Sequence, residues 1–385
     1  MAVRSQRAKN LRGSDVSTVH NCDVTELIGA TWVERTPSSS ATWNGLCWSP
    51  ELAIFVAVCS ASSGDHVMTS PNGVTWTVQS SAIGHGWNDV CWAPEIGLFC
   101  AVSVQGTGGA TNRVMTSPDG ENWTLLPSVD DTAAWQAICW SPELHLFCAV
   151  GYGGTEFLMT SPNGVDWTAP TIPDAQEWVD ICWSPELGLF CAVTNAGTNR
   201  IMTSPDGVNW TSYGGFGDTL RTVCWAPEIG IFCVVAINST AVWISRDGVN
   251  WVAGTMASSR SWISVCWAPE VRLFVAVAAT ASATSIATSP DGLVWTTRAP
   301  ALTTPQWRKV AWSPALRMFA AVGYIGAGNR LMTSSANDNI RIASDEPFGN
   351  VASSITNVGP TGSQSAIQGW LRVNINGVDR FIPYW

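Results

Sequence analysis

Few side chains in this 385-residue sequence are of the kinds that do chemistry, and their spacing decides what they could do. Tyr152 and Glu156 share one short segment, and Arg113, Arg200 and Arg330 each follow an asparagine. A tyrosine–glutamate pair, an arginine cluster and a separate acid together could form a hydrolytic site. The Asn-Arg pairs, however, fall at one fixed place of a repeated phrase, so repetition accounts for them. The histidines (His20, His66, His85, His145) are scattered and form no triad with a nucleophile. The 12 cysteines include no Cys-x-x-Cys and no cysteine–histidine cluster at zinc spacing. The expectation is a non-enzymatic protein without metal or cofactor.

The remaining cysteines and acids are periodic. Cys47, Cys91, Cys139, Cys182, Cys224 and Cys266 each precede a tryptophan, where a seventh copy has Ala311. Cys100, Cys148, Cys191 and Cys233 share a slot with Val56, Val275 and Ala320. Disulfides within each repeat are one reading, and buried thiols acting as small apolar residues are the other. Interchange with valine and alanine favours thiols, as does Met1–Gly13, which lacks the apolar core of a signal peptide. Glu51, Glu95, Glu143, Glu186, Glu228 and Glu270 share another slot with Ala315, and are read as turn and inter-repeat hydrogen-bonding groups. Asp119, Asp206, Asp247 and Asp291 interchange with Asn72 and Asn163, which a catalytic carboxylate would not tolerate.

All these slots belong to one phrase, seen in Trp87-Asn88-Asp89-Val90-Cys91-Trp92-Ala93-Pro94-Glu95, Gly97–Val102, Met115–Gly120 and Trp123-Thr124. Its second tryptophan falls at Trp48, Trp92, Trp140, Trp183, Trp225, Trp267 and Trp312, spaced by 44, 48, 43, 42, 42 and 45 residues. Such a period fits propeller blades and some helical repeats. Each copy holds four strand-length apolar runs divided by turn signals, including Ser-Pro-Asp/Asn-Gly, and two fixed prolines that a helical repeat would reject. The seventh copy stops after Met332–Ser335, and the missing strand lies in Ala30–Arg35. Trp32 precedes Trp43 by 11 residues, as Trp76 precedes Trp87. The sequence therefore predicts an all-β, seven-bladed β-propeller of four-stranded antiparallel blades over residues 29–335. An N-terminal strand would close the last blade and remove open sheet edges.

Ser-Pro-Asp-Gly-x-x-Trp resembles the Asp-box (BNR) hairpin of sialidase-like propellers, shortened by one residue between Asp and Gly. The resemblance implies the fold and a structural hairpin remote from any active site. The segment Gly369–Trp385 resembles the ending of many tailed-phage structural proteins, an apolar strand, an Asn-Gly turn and a final Ile-Pro-aromatic strand. Asn376-Gly377 reads independently as a hairpin turn. That resemblance implies a virion protein, anchored through Trp370, Phe381 and Trp385.

Propeller geometry places the turns after the first and third strands on one face and the variable loops on the other. Variable loops on a rigid scaffold are where binding resides. The start of the first strand also varies: Asn44, Asn88, Gln136, Val179, Arg221, Ile263 and Arg308, followed by Gly45, Asp89, Ala137, Asp180, Thr222, Ser264 and Lys309. With that strand innermost, these residues ring a channel mouth. The candidate binding residues are Asn88, Asp89, Asp180, Arg221, Arg308 and Lys309, with Tyr152 and Tyr324 from neighbouring loops.

Composition bounds the alternatives. The chain is 46% hydrophobic with only 12% charged residues and a net charge of -10, which excludes disorder. No run of eighteen apolar residues crosses a membrane, and the acidic balance disfavours nucleic acid. Of 23 tryptophans, 20 occupy repeat slots, so they report packing. Residues 1–28 read as a polar arm, 336–368 as a linker, and 369–385 as a hairpin tail that needs a partner: its own ring, another subunit or a shell protein. The functional expectation is a non-enzymatic structural or interaction propeller of a phage-like particle, bound to other virion proteins through its ends and facing a host glycan or receptor. The alternatives are a glycan-binding lectin propeller and a glycoside hydrolase.

Overall fold

Each copy of the phrase folds into one antiparallel sheet whose strands pair in chain order. A computed structural model describes residues 28–60, 66–80, 84–105, 112–324, 330–335, 341–342, 369–375 and 378–384. Blade two shows the pattern, with strands Gly86–Ala93, Leu98–Gln105, Val114–Ser117 and Thr124–Leu126. The blades cover 43–79, 86–126, 134–168, 178–214, 219–260, 262–298 and 306–335, the last completed by 33–35. The first strands pack side by side around the ring, and that of blade seven meets that of blade one. Seven blades therefore enclose a central channel.

Blade three departs from the four-stranded expectation. Its fourth strand shrinks to one bridge, Thr160 to Thr168, because Pro170 and Pro173 follow and cannot donate to a ladder.

The three tryptophan slots have separate tasks. The first-slot residues Trp43, Trp87, Trp135, Trp178, Trp262 and Trp307 are fully buried, as is Leu220 in blade five. Each sits in one of seven apolar clusters, and each cluster joins two adjacent blades. Trp87, for example, packs with Val56, Val58 and Val67 of blade one. The second- and third-slot tryptophans flank a phenylalanine, as Trp92–Phe99–Trp123 do with centroid distances of 4.4 and 6.3 Å. At the smaller Leu220, Phe216 and Trp243 fill in, with ring centroids 5.2 Å apart.

The turn after the third strand is a local hydrogen-bonded cage. Ser70 Oγ accepts the Gly73 N–H at 2.8 Å, Asn72 Oδ1 accepts from Val74 and Thr75, and Trp76 Nε1 donates to the Gly73 carbonyl at 3.0 Å. Gly73 has φ +70°, which favours glycine there. Blade seven builds the same turn from two distant segments. Ser334 Oγ accepts the Gly29 N–H at 2.8 Å, and Trp32 Nε1 donates to the Gly29 carbonyl at 3.1 Å. The strand Val33–Arg35 then pairs with Leu331–Thr333. The N-terminal strand thus closes the ring. The chain enters at Ile28 and leaves at Ser335 on the same face, the face of the turns.

Outside the ring, Gly369–Ile375 pairs with Val378–Tyr384 as the predicted hairpin. Arg341–Ile342, within the stretch read as linker, adds a third strand to it. Trp370 and Phe381 lie on that hairpin, while Trp385, the arm 1–27 and most of the linker fall outside the described residues.

Candidate functional site

The site is made by a bulge repeated seven times. In every first strand the pairing register slips between the first-slot residue and the residue two further on, as at Trp43/Gly45, Trp178/Asp180 and Trp307/Lys309. A bulge adds an unpaired residue and re-aims its side chain. The seven bulged residues, Asn44, Asn88, Gln136, Val179, Arg221, Ile263 and Arg308, line a small cavity open to solvent, together with Ala137, Asp180 and Lys309. The ring has two arcs. Blades one to three present amides, and blades four to seven alternate aliphatic and cationic side chains.

The next residue of each first strand braces the ring. Asp89 Oδ2 accepts the Ile138 N–H of the next blade at 3.2 Å, and Asp180 Oδ2 accepts the Val223 N–H at 2.9 Å and the Thr222 hydroxyl at 2.6 Å. Ser264 Oγ accepts the Val310 N–H at 3.2 Å. These acceptors occur in blades two, four and six, each serving the following blade. Lys309 of blade seven reaches past blade one to Asp89 Oδ1 at 2.8 Å. Blade one has Gly45 in that slot, and a Cβ there would lie 2.8 Å from the Asp89 Cα. Burial pushes the Asp89 carboxyl up, against the pull of Lys309. Burial alone would lower the Lys309 ammonium, but Asp89 and Asp180 more than reverse this, in line with the 2.8 Å salt-bridge contact. Below it, burial raises the thiols of Cys47, Cys91 and Cys139. Cys91 and Cys100 lie opposite each other across the ladder, as do Cys139 and Cys148, Cys182 and Cys191, and Cys224 and Cys233, and all are free thiols.

Arg221 and Arg308 differ from the other mouth residues. Arg308 lies over the Tyr324 ring, its Cζ 4.5 Å from the centroid. Burial lowers the pKa of both guanidinium groups; Arg221 lowers Arg308 further, while Asp180 and Tyr152 support Arg221. The cations are therefore close enough to repel.

Five of the expected site residues (Asn88, Asp180, Arg221, Arg308 and Lys309) border this cavity, with Asp89 held against Lys309, Tyr324 against Arg308 and Tyr152 near Arg221. Asp89, Asp180 and Lys309 are tied into the bracing layer, and the bulged residues form the ring above it. Asn44, Gln136, Val179 and Ile263 complete it, and their signal was the slot they share with Asn88. Arg113, Arg200 and Arg330 do not converge. Arg113 donates to the Asp131 carbonyl, Arg200 to Asn195 and Arg330 to Ser40 and Ala41. Asp130 accepts the Thr155 and Glu156 N–H groups and fixes the loop that carries Glu156. Among the described residues no group of three or more histidine, cysteine or acidic side chains could hold a metal ion, and no helix is long and apolar enough to cross a membrane.

No family model matches this chain, and no curated protein does. Its likeness is to solved structures. YCF48 bound to D1 peptide superposes with a TM-score of 0.58 at 15% identity, over 80% of this chain and 97% of that one. A catalytically inactive virginiamycin B lyase from Staphylococcus aureus with quinupristin gives 0.66 at 7% identity, over 79% and 98%. Raptor from Chaetomium thermophilum gives 0.57 at 9% identity, over 79% of this chain but 29% of that larger one. At these identities the likeness establishes the β-propeller fold alone.

Proposed function

We propose that this protein is a non-enzymatic interaction propeller of a phage-like particle, a structural or receptor-binding component that presents its channel mouth to a partner. One observation carries the reading: the chain enters and leaves the ring at a single split turn, Ser334 with Gly29, on the face opposite the mouth. Segments leaving that face can be fixed to a larger assembly while the mouth stays open. The variation agrees, because the residues free to differ between blades gather at the mouth. The three arginines that resembled hydrolytic machinery are committed to loop carbonyls, which supports binding over catalysis. The pairing of Gly369–Ile375 with Val378–Tyr384 supports the phage-like assignment. Similar propellers occur with a D1 peptide or quinupristin bound, which fits a scaffold that presents a ligand site.

The test is mass spectrometry of tagged protein recovered from cells producing particles. Stoichiometric copurification with capsid or tail proteins, lost when residues 336–385 are removed, is the expected result. Recovery of the full chain free of any particle protein would overturn the virion assignment.

A further inference from the structure

We infer that the channel mouth takes the carboxyl terminus of a peptide, with its α-carboxylate between Arg221 and Arg308. The inference rests on the reading of the mouth as a partner-binding surface and gives that partner a chemistry.

The two guanidinium groups come from blades five and seven and flank Ile263 of blade six. Other cations on this face have partners: Lys309 has Asp89, and Arg113, Arg200 and Arg330 have backbone carbonyls. Among the described residues nothing accepts a hydrogen bond from Arg221 or Arg308, and the Arg308 Nε is buried without a partner. Two repelling, half-buried cations with unmet donors form a site for a bidentate anion. Counting the mouth and the Asp89 that pairs with Lys309, three cations (Arg221, Arg308 and Lys309) stand against Asp89 and Asp180, an excess of one positive charge on a chain of net charge -10. One carboxylate balances it.

The rest of the ring fits a chain end. Ile263, partly exposed between the two arginines, offers an aliphatic contact for a terminal side chain, while Val179 on the other side of Arg221 is 4% exposed. Asn44 Nδ2 donates to Ser60 Oγ and the Trp87 carbonyl, and Asn88 Nδ2 to the Gln136 carbonyl. The amide oxygens remain as acceptors, and acceptors suit the N–H groups of an extended peptide. An acidic sugar would gain most from an aromatic face to stack on, and the Tyr324 face is covered by Arg308.

The experiment uses the full-length protein and a pool of short random peptides, made once with free C-terminal carboxylates and once as C-terminal amides. Glucuronate and N-acetylneuraminate serve as further probes, and an Ile263→Trp variant, at a partly exposed slot between the two arginines, blocks the mouth. Retained free acids should lose about tenfold or more in affinity on amidation. Arg308→Gln should cause the same loss with the thermal midpoint unchanged. If that variant is misfolded, Arg221→Gln reads the same interaction. Amides binding as well as acids would overturn the carboxylate site and leave the interaction reading standing. Retention of the acidic sugars in place of any peptide overturns the peptide. If no probe distinguishes the native protein from Ile263→Trp, the mouth is not a binding surface and both readings fail.

Discussion

The turn face and the mouth are built by the same seven copies, yet they tolerate difference unequally. On the turn face all seven glycine N–H groups meet a serine Oγ at 2.8–2.9 Å, even where the two residues come from opposite ends of the ring. Six second-slot tryptophans donate Nε1 to a glutamate of the preceding blade at 2.5–2.6 Å. At the mouth the bulged slot holds three amides, two aliphatic residues and two arginines. The reason is contact: a turn-face residue completes a cage or a junction, and its loss leaves a buried group unpaired. Most of the bulged residues border an open channel, so their exchange costs the scaffold little.

The largest effect should come from the layer beneath both faces. Trp87→Ala empties a junction between blades one and two and should cost about 3–5 kcal/mol in urea unfolding. Ile263→Asn, at the neighbouring slot of blade six, should stay within about 0.5 kcal/mol. Equal costs would erase the distinction between the slots.

Next is the brace under the mouth. Lys309→Met strands the Asp89 carboxylate, which is 4% exposed. A fully buried pair would cost about 3–5 kcal/mol to break, and the 28% exposure of the Lys309 side chain reduces this to about 2–3 kcal/mol. Asp89→Asn with Lys309→Met should recover most of that loss. A single variant as stable as the native chain would mean that the brace belongs with the freely varying ring.

The closing junction offers a smaller test of the turn face. Blade seven has Ala315 where the other blades have glutamate, and the buried Trp48 Nε1 correspondingly has no partner. Glu95→Ala should cost about 1–2 kcal/mol by removing the acceptor of Trp140, and Ala315→Glu should gain about 1 kcal/mol by supplying one to Trp48. No gain from Ala315→Glu would show that the six Trp–Glu bonds are incidental to the junctions.

What the sequence revealed follows the same division. Periodicity disclosed the blades, the closure by Trp32, the packing tryptophans and the inter-blade glutamates, because each recurs at a fixed spacing. The short outer edge of blade three departs from the repeat, because Pro170 and Pro173 interrupt its last strand. The bulge was hidden because two consecutive non-core residues after a tryptophan look like any strand start. The pairing of Lys309 with Asp89 across blade one, and of Arg308 with Tyr324, depends on the width of the channel and on strand register, which no local pattern encodes. The shared slot thus located the mouth, and three-dimensional neighbours then divided it into bracing residues and free ones.

The smallest effect concerns acid. Asp206 and Asp247 sit in turn cages where the backbone and side-chain amides of Asn209 and Asn250 donate to them, and both carboxyls are held down at about 2. A depressed carboxyl contributes stability above its unfolded value, about 3.9, and loses it as pH falls through the folded value. Blades one and three use Asn72 and Asn163, whose amide oxygens accept the same N–H groups without titrating. Asp206→Asn with Asp247→Asn should therefore flatten the fall in the urea midpoint between pH 4 and pH 2 while barely moving it at pH 7. An unchanged acid slope would mean that the cage holds through geometry alone and that its aspartates, like the residues of the mouth, are free to vary.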